Sequence, residues 1–272
     1  MSLDTQYEYS TCIMSEECTQ IIVHPTLSRG ILSVVIPTLQ KTREVVVVFP
    51  RGGPCLYKFQ QGEDIENVGK VVWQSGIYLG QYLANLEGRE GAIKCKRALE
   101  IGCGGAPLSS LILGEMGINT VATDGDEDVL KLADGNARDN WQNFSQWSGR
   151  NHRPESCRPL CARLRWGNDD DLRSVSRLTN AERFDLIVAA DVIYFEAAHE
   201  ILLETLEKLT TAESIVYIAF QIRLHAFEGT FFSEKIQRYG FEAEIVWKSN
   251  SKPEVQIARL QKTACVGKPL PS

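Results

Sequence analysis

Long apolar runs are missing from this chain of 272 residues. None approaches the roughly 18 residues that a membrane-spanning helix needs, and runs such as Val45–Phe49 and Ile187–Ala190 are the size of strands. The first residues carry neither a basic segment nor an apolar one and reach Glu16 and Glu17 early, so no secretory leader is expected there. Cysteine pairs at metal spacing are also missing. The eight cysteines stand at positions 12, 18, 55, 95, 103, 157, 161 and 265 without a single C-x-x-C, and the four histidines are scattered. No metal site is expected, and reduced thiols point to the cytoplasm, with the nucleus as the other compartment of that kind. A basic surplus is absent as well. The formal charge is −6, from 29 bases and 35 acids, which argues against nucleic acid as the partner. Neither is a membrane partner indicated, and a monomer is the default.

What is present is the balance of an ordinary globular chain, 43% hydrophobic and 24% charged. That length buries a full core without disulfides. Residues 1–17 are polar and expected to be loose. From Ile21 the β-branched runs Ile21–Val23, Ile31–Ile36 and Val45–Phe49 predict two or three antiparallel strands, an N-terminal extension closed by the turn at Arg51–Pro54. An amphipathic helix follows within Val68–Leu86, stopped by Gly88 and Gly91.

Strands and helices then alternate. Strands are expected at 97–101, 119–123, 160–166, 184–190 and 214–220, and helices at 108–116, 126–139, 197–209 and 231–239. Two closing strands, 242–247 and 255–260, are joined by the turn at Asn250–Pro253, which is too short for a parallel crossover. This pattern predicts an α/β fold with a doubly wound, seven-stranded, mostly parallel sheet behind an N-terminal β-hairpin extension. Trp141–Cys161 interrupts the regularity with an arginine-bearing insertion, either a solvated loop or a partner surface. His199 and Glu196 carry no mark beyond that of surface residues. The tail 263–272 is expected to be flexible.

The sharpest local signal is Leu99-Glu100-Ile101-Gly102-Cys103-Gly104-Gly105-Ala106-Pro107, a strand running into glycines ahead of a helix. Gly102 and Gly104 let the backbone turn tightly and approach a ligand, and the helix start offers free N–H groups. Pro107 stands where a dinucleotide fingerprint needs its third glycine, and no G-K-[ST] follows, so neither NAD nor a P-loop nucleotide is indicated. Asp124 ends the next strand 22 residues after Gly102. It can take the two hydroxyls of a ribose, or cap the next helix. Asp126 serves the cap equally well, which leaves Asp124 for a ligand.

Together with Phe184-Asp185-Leu186-Ile187-Val188-Ala189-Ala190-Asp191-Val192-Ile193-Tyr194, these motifs resemble the class I, seven-β-strand S-adenosylmethionine methyltransferases. Within them the chain is similar to the family 16 lysine methyltransferases. The resemblance spans Gly69 to Leu260 in five ordered motifs: Val71–Gly76, Glu100–Pro107, Thr123–Gly125 followed by Leu130, Asn136 and Asn140, then Leu164–Gly167, and Asp191–Tyr194 as the family's D-x-x-Y. Arg223 and Phe231-Phe232 suit its C-terminal part. The usual G-x-G-x-G has Ala106 in place of its last glycine, which adds strain if that residue needs a positive φ.

The resemblance implies residues 66–262 as the methyltransferase domain, behind an extension of residues 1–65. It implies S-adenosylmethionine as cofactor and a protein substrate presenting a lysine. Trp73, Gly102, Cys103, Gly104, Asp124, Trp166 and Ala190 would contact the cofactor. Asp191 and Tyr194 are the catalytic candidates, Asp191 orienting the amine and Tyr194 walling its channel. Each also has a plain structural reading: Asp191 as a helix cap, and Tyr194, Trp73 and Trp166 as core or edge residues. A methyltransferase of a small amine or another side chain, and a non-catalytic partner-binding protein of the same fold, are the alternatives.

Overall fold

In a computed structural model of the protein, the structure describes residues 10–14, 19–23, 31–34, 42–49, 53–61, 69–86, 97–143, 157–223, 225–250 and 253–263. The stops at Gly88 and Gly91, most of the arginine-bearing insertion and the tail from 264 lie outside them.

The C-terminal part of the fold is built on a seven-stranded sheet. Its strands are β6 (Arg97–Ile101), β7 (Asn119–Asp124), β8 (Leu160–Arg163), β9 (Leu186–Ala190), β10 (Ile215–Gln221), β11 (Phe241–Lys248) and β12 (Val255–Lys262). Their spatial order is β11-β12-β10-β9-β6-β7-β8. β6 to β10 run parallel, and β12 enters antiparallel between β10 and β11. The central strands read as unbroken apolar runs because both faces are covered; Ile187, Val188, Val216 and Ile218 are fully buried. The sheet order reverses between β6 and β9, and there Ile101 lies level with Ala189. A crevice opens at such a switch point, above the carboxyl ends of the strands.

Helices fill both faces: α1 (Gln74–Leu86), α2 (Leu108–Glu115), α3 (Glu127–Gln142), α4 (Asp169–Thr179) and α5 (His199–Leu209). A last helix, α6 (His225–Thr230), runs on through a π-helical turn at Phe231–Lys235 into Ile236–Arg238. It begins earlier than its sequence pattern suggested. α4 was not anticipated at all, although it carries plain signals: Asn168 caps the N–H of Asp171 at 3.0 Å, and Asp169, Asp170 and Asp171 fill its first turn. Its helical pattern is short and its core contribution small, with Val175 fully buried.

The extension is larger than two or three strands. β1 (Ser10–Met14), β2 (Thr19–Val23), β3 (Ile31–Val34), β4 (Thr42–Phe49) and β5 (Gly53–Gln60) form one antiparallel sheet in sequence order. β1 falls in the segment expected to be loose. β5 falls where a closing turn was expected, and its Gly53 pairs with Phe49. Val45, Val47, Tyr57 and Phe59 turn inward and join α1 and α2 in one core. Two asparagines of α3 dock β5 as a neighbouring strand would. Asn140 accepts from the Lys58 N–H at 2.7 Å and donates to its carbonyl at 2.6 Å, and Asn136 does the same for Gln60 at 2.7 and 2.8 Å.

Candidate active site

Five chain segments meet at the carboxyl ends of the parallel strands around a cavity of about 420 Å³. All nine residues singled out from the sequence line it: Trp73, Gly102, Cys103, Gly104, Asp124, Trp166, Ala190, Asp191 and Tyr194. A volume of this order suits a small-molecule ligand.

The turn after β6 forms the floor. Gly102 and Gly104 have φ of +63° and +59°, a region in which L side chains are strained. A Cβ at Gly104 would stand 2.9 Å from the Gly69 carbonyl oxygen, and one at Gly102 would stand 2.8 Å from Cγ1 of Val192. The Cys103 N–H is bonded to the Thr123 carbonyl at 2.9 Å, and Gly105 N–H to that of Gly69 at 2.6 Å. Cys103 thus contributes backbone, and burial raises its thiol well above the ordinary range. Ala106 is not among the residues with positive φ. The strain foreseen on that condition is therefore absent, because the left-handed positions of this loop both fall on glycine.

Asp124 ends β7 beside this floor. Its Oδ2 accepts from the Gly104 N–H at 3.1 Å and its Oδ1 from the Asp126 N–H at 3.0 Å. Burial raises this carboxyl from its usual range, against the opposing pull of the Asp126, Gly104 and Gly125 N–H groups. Asp126 makes the helix cap, accepting from Asp128 and Val129 at 2.8 and 3.0 Å. The cap is thus made by Asp126, and Asp124 stands on the cavity wall. Trp166 is half-buried and packs over Gly102, its Cζ2 3.6 Å from where a Cβ would be. Trp73, immediately before α1, lines the cavity and is 37% exposed.

The D-x-x-Y segment forms the remaining wall. Asp191 is buried yet has φ +53°, a strained conformation for a residue with a Cβ. It does not cap a helix. Its N–H reaches across to the Ala219 carbonyl at 2.8 Å. Its Oδ1 accepts from Arg223 Nη1 at 3.1 Å and from the Gln221 N–H at 3.3 Å, and its Oδ2 accepts from the hydroxyl of Ser75. Three residues on, Tyr194 is 55% exposed, so an edge-of-core role is excluded. His199 is not a surface residue. It is 1% exposed, bonded through Nε2 to the Ile193 carbonyl at 2.9 Å and set edge-on against Phe231, and it thereby pins the loop that carries Tyr194. Glu196 is exposed and paired with Lys235 at 2.9 Å.

Three wall or support residues were missed as site residues. Glu100 lines the cavity fully buried, accepts from the N–H and hydroxyl of Ser110 at 2.9 and 2.6 Å, and is pushed up to about 7 by burial. A single acid in the apolar strand Arg97-Ala98-Leu99-Glu100-Ile101 was a legible signal. Ser75 gave none, since a serine in the first turn of a helix is commonplace. Arg223 had been noted only as fitting the family.

Comparison with known proteins places the chain in a family. The profile of the family described as lysine methyltransferase matches residues 56–238. The chain belongs to the family 16 lysine methyltransferases. It is 27% identical over 210 residues to the Protein N-lysine methyltransferase METTL21A of Danio rerio, covering 76% of this chain and 85% of that one. To the Protein N-terminal and lysine N-methyltransferase EFM7 of Candida glabrata it is 28% identical, covering 68% of each chain. Among solved structures, magnesium protoporphyrin IX methyltransferase of Synechocystis superposes with a TM-score of 0.48 at 14% identity, over 72% of this chain and 81% of that one. As a family 16 member the protein is an S-adenosylmethionine-dependent protein-lysine methyltransferase. The residues present fit that cofactor: two left-handed glycines line the cavity with bare backbone, and the Asp124 carboxylate stands beside them on the same cavity.

Proposed function

We propose that the protein methylates the ε-amine of a lysine in a protein substrate at the cavity above β6, β7 and β9. The observation that carries this reading is the convergence of Gly102, Asp124 and Asp191, from three different strand ends, on one cavity.

Bound S-adenosylmethionine supplies an electrophilic methyl group on sulfur. The chain's own residues supply position and environment. Asp124 takes the ribose hydroxyls, each such charge-assisted bond contributing about 1.5–3 kcal/mol. Gly102, Cys103 and Gly104 admit the cofactor against bare backbone. Trp166 offers the adenine an apolar face, and Trp73 and Ala190 bound the other side, Ala190 by being small. Asp191 accepts a hydrogen bond from the incoming nitrogen and holds its lone pair in line. Tyr194 walls the entrance and attracts the cationic head of the lysine before it loses its proton.

We place the protein in the cytoplasm or nucleus as a monomer, acting on protein and not on nucleic acid. Burial raises the thiols of Cys103 and Cys161, the latter to about 12, so neither is a reactive thiolate.

The test supplies S-adenosylmethionine with a labelled methyl to a cell lysate, together with the wild-type protein or Asp191→Ala. A labelled protein band that yields methyl-lysine on hydrolysis, and that the variant loses, is the expected result. Label confined to small molecules would overturn the lysine reading, and no label at all would favour a non-catalytic protein.

A further inference from the structure

Asp191 is held by more partners than its burial alone requires. It sits at φ +53° with its carboxylate in the cavity wall, so two things must hold it: something to offset the backbone strain and something to fix the side chain. Donors come from three directions. Arg223 Nη1 and the Gln221 N–H, at 3.1 and 3.3 Å, fill both lone pairs of Oδ1. The hydroxyl of Ser75, which is wholly buried in the first turn of α1, takes one lone pair of Oδ2. A carboxylate has about four acceptor sites. Three are used, and the fourth belongs to Oδ2. Arg223 also balances the charge, with its own side chain 33% exposed.

From this count we infer that Ser75 and Arg223 are positioning residues that act through Asp191. They clamp the carboxylate from opposite oxygens, so that the one remaining lone pair of Oδ2 is presented to an N–H of the amine being methylated. The inference rests on the reading of this cavity as the cofactor and lysine site. It adds that recognition of the amine depends on a serine from the helix before the sheet and an arginine from the segment just after β10. Because Arg223 offsets the negative charge, Asp191 serves the amine as a directed acceptor and less as a general attraction for ammonium ions.

The test uses two cofactor analogues that differ at the reacting position. S-adenosylhomocysteine has no group there, whereas sinefungin carries an amine where the methyl would be. Calorimetry gives both dissociation constants for the wild type, Ser75→Ala, Arg223→Ala and Arg223→Lys. The ratio of the sinefungin constant to the S-adenosylhomocysteine constant should rise at least fivefold in Ser75→Ala and Arg223→Ala. It should return to within twofold of wild type in Arg223→Lys, which keeps a cation for Oδ1. A purely structural role weakens both ligands alike and leaves the ratio unchanged, and that result would overturn the inference. Should Ser75→Ala fail to fold, the Arg223 pair decides alone, since that side chain is partly exposed. A wild type that binds neither analogue would instead bring down the reading of the cavity itself.

Discussion

The side-chain amide of Asn136 donates to the carbonyl of Gly105 at 2.7 Å, and so ties the helix after β7 to the glycine turn after β6. The same amide holds both backbone groups of Gln60, at the end of the N-terminal sheet. One buried residue thus joins the extension to the floor of the cofactor cavity. Asn136→Leu keeps the fork at Cγ, with bulkier arms, and strands three backbone groups. It should cost roughly 3 kcal/mol of stability, read from urea denaturation, and should weaken S-adenosylmethionine at temperatures where the variant remains folded. An unchanged denaturation midpoint would contradict the coupling.

The glycine turn gives a paired prediction. Gly104→Ala forces a left-handed alanine against the Gly69 oxygen, and titration with S-adenosylmethionine should show at least a tenfold loss of affinity. Ala106→Gly should change affinity by less than about threefold, since Ala106 is already relaxed.

Asp124→Ala removes the carboxylate that borders the same turn. Loss of two charge-assisted bonds, about 1.5–3 kcal/mol each, predicts a fall in cofactor affinity of about a hundredfold or more. The Asp126→Ala variant should instead lose about 1 kcal/mol of stability through its cap and bind the cofactor almost as before. Equal effects of the two on binding would show that the division of duties is wrong.

Glu100 predicts a pH dependence. Its carboxyl titrates near 7 in the fold, against 4.5 for the free group, because it is fully buried. Between these values the folded chain keeps a proton that the unfolded chain releases. Stability from this site is therefore complete at low pH and falls as pH rises from about 4.5 to about 7, by a few kcal/mol. Glu100→Gln imitates the protonated form. The stability of the variant relative to wild type should climb across that window and level off above it. A pH-independent difference would contradict the assignment.

Tyr194 separates function from stability. At 55% exposure its truncation to alanine should leave the melting temperature within about 2 °C, as surface changes do. Methyl incorporation into lysate protein should drop at least tenfold. A variant with full incorporation would remove Tyr194 from the channel.

The sheet was legible from sequence because its central strands are buried on both faces. Runs such as Leu186-Ile187-Val188-Ala189-Ala190 cannot be mistaken for solvated segments. Gly102 and Asp124 were legible because they stand at strand ends, where position along the chain sets position in space closely, and Asp191 because its D-x-x-Y resembles that of the family. β5 was hidden by its opening Gly53-Pro54, which reads as a turn, and its stability comes from Asn136 and Asn140 some eighty residues away. α4 was hidden by its polar sequence, with few buried residues to mark a period. His199 read as surface because its burial depends on Phe231 and on the carbonyl of Ile193, partners that only the folded chain supplies. The clamp on Asp191 was invisible for the same reason: Ser75 lies 116 residues from it in sequence.

The most direct measurement is quantitative mass spectrometry of lysine methylation in cells with and without the gene, with Asp191→Ala returned as a control. The account predicts at least one protein whose lysine loses methylation when the gene is removed, regains it with the wild-type chain, and does not regain it with the variant. An unchanged lysine methylome, or full restoration by Asp191→Ala, would contradict it.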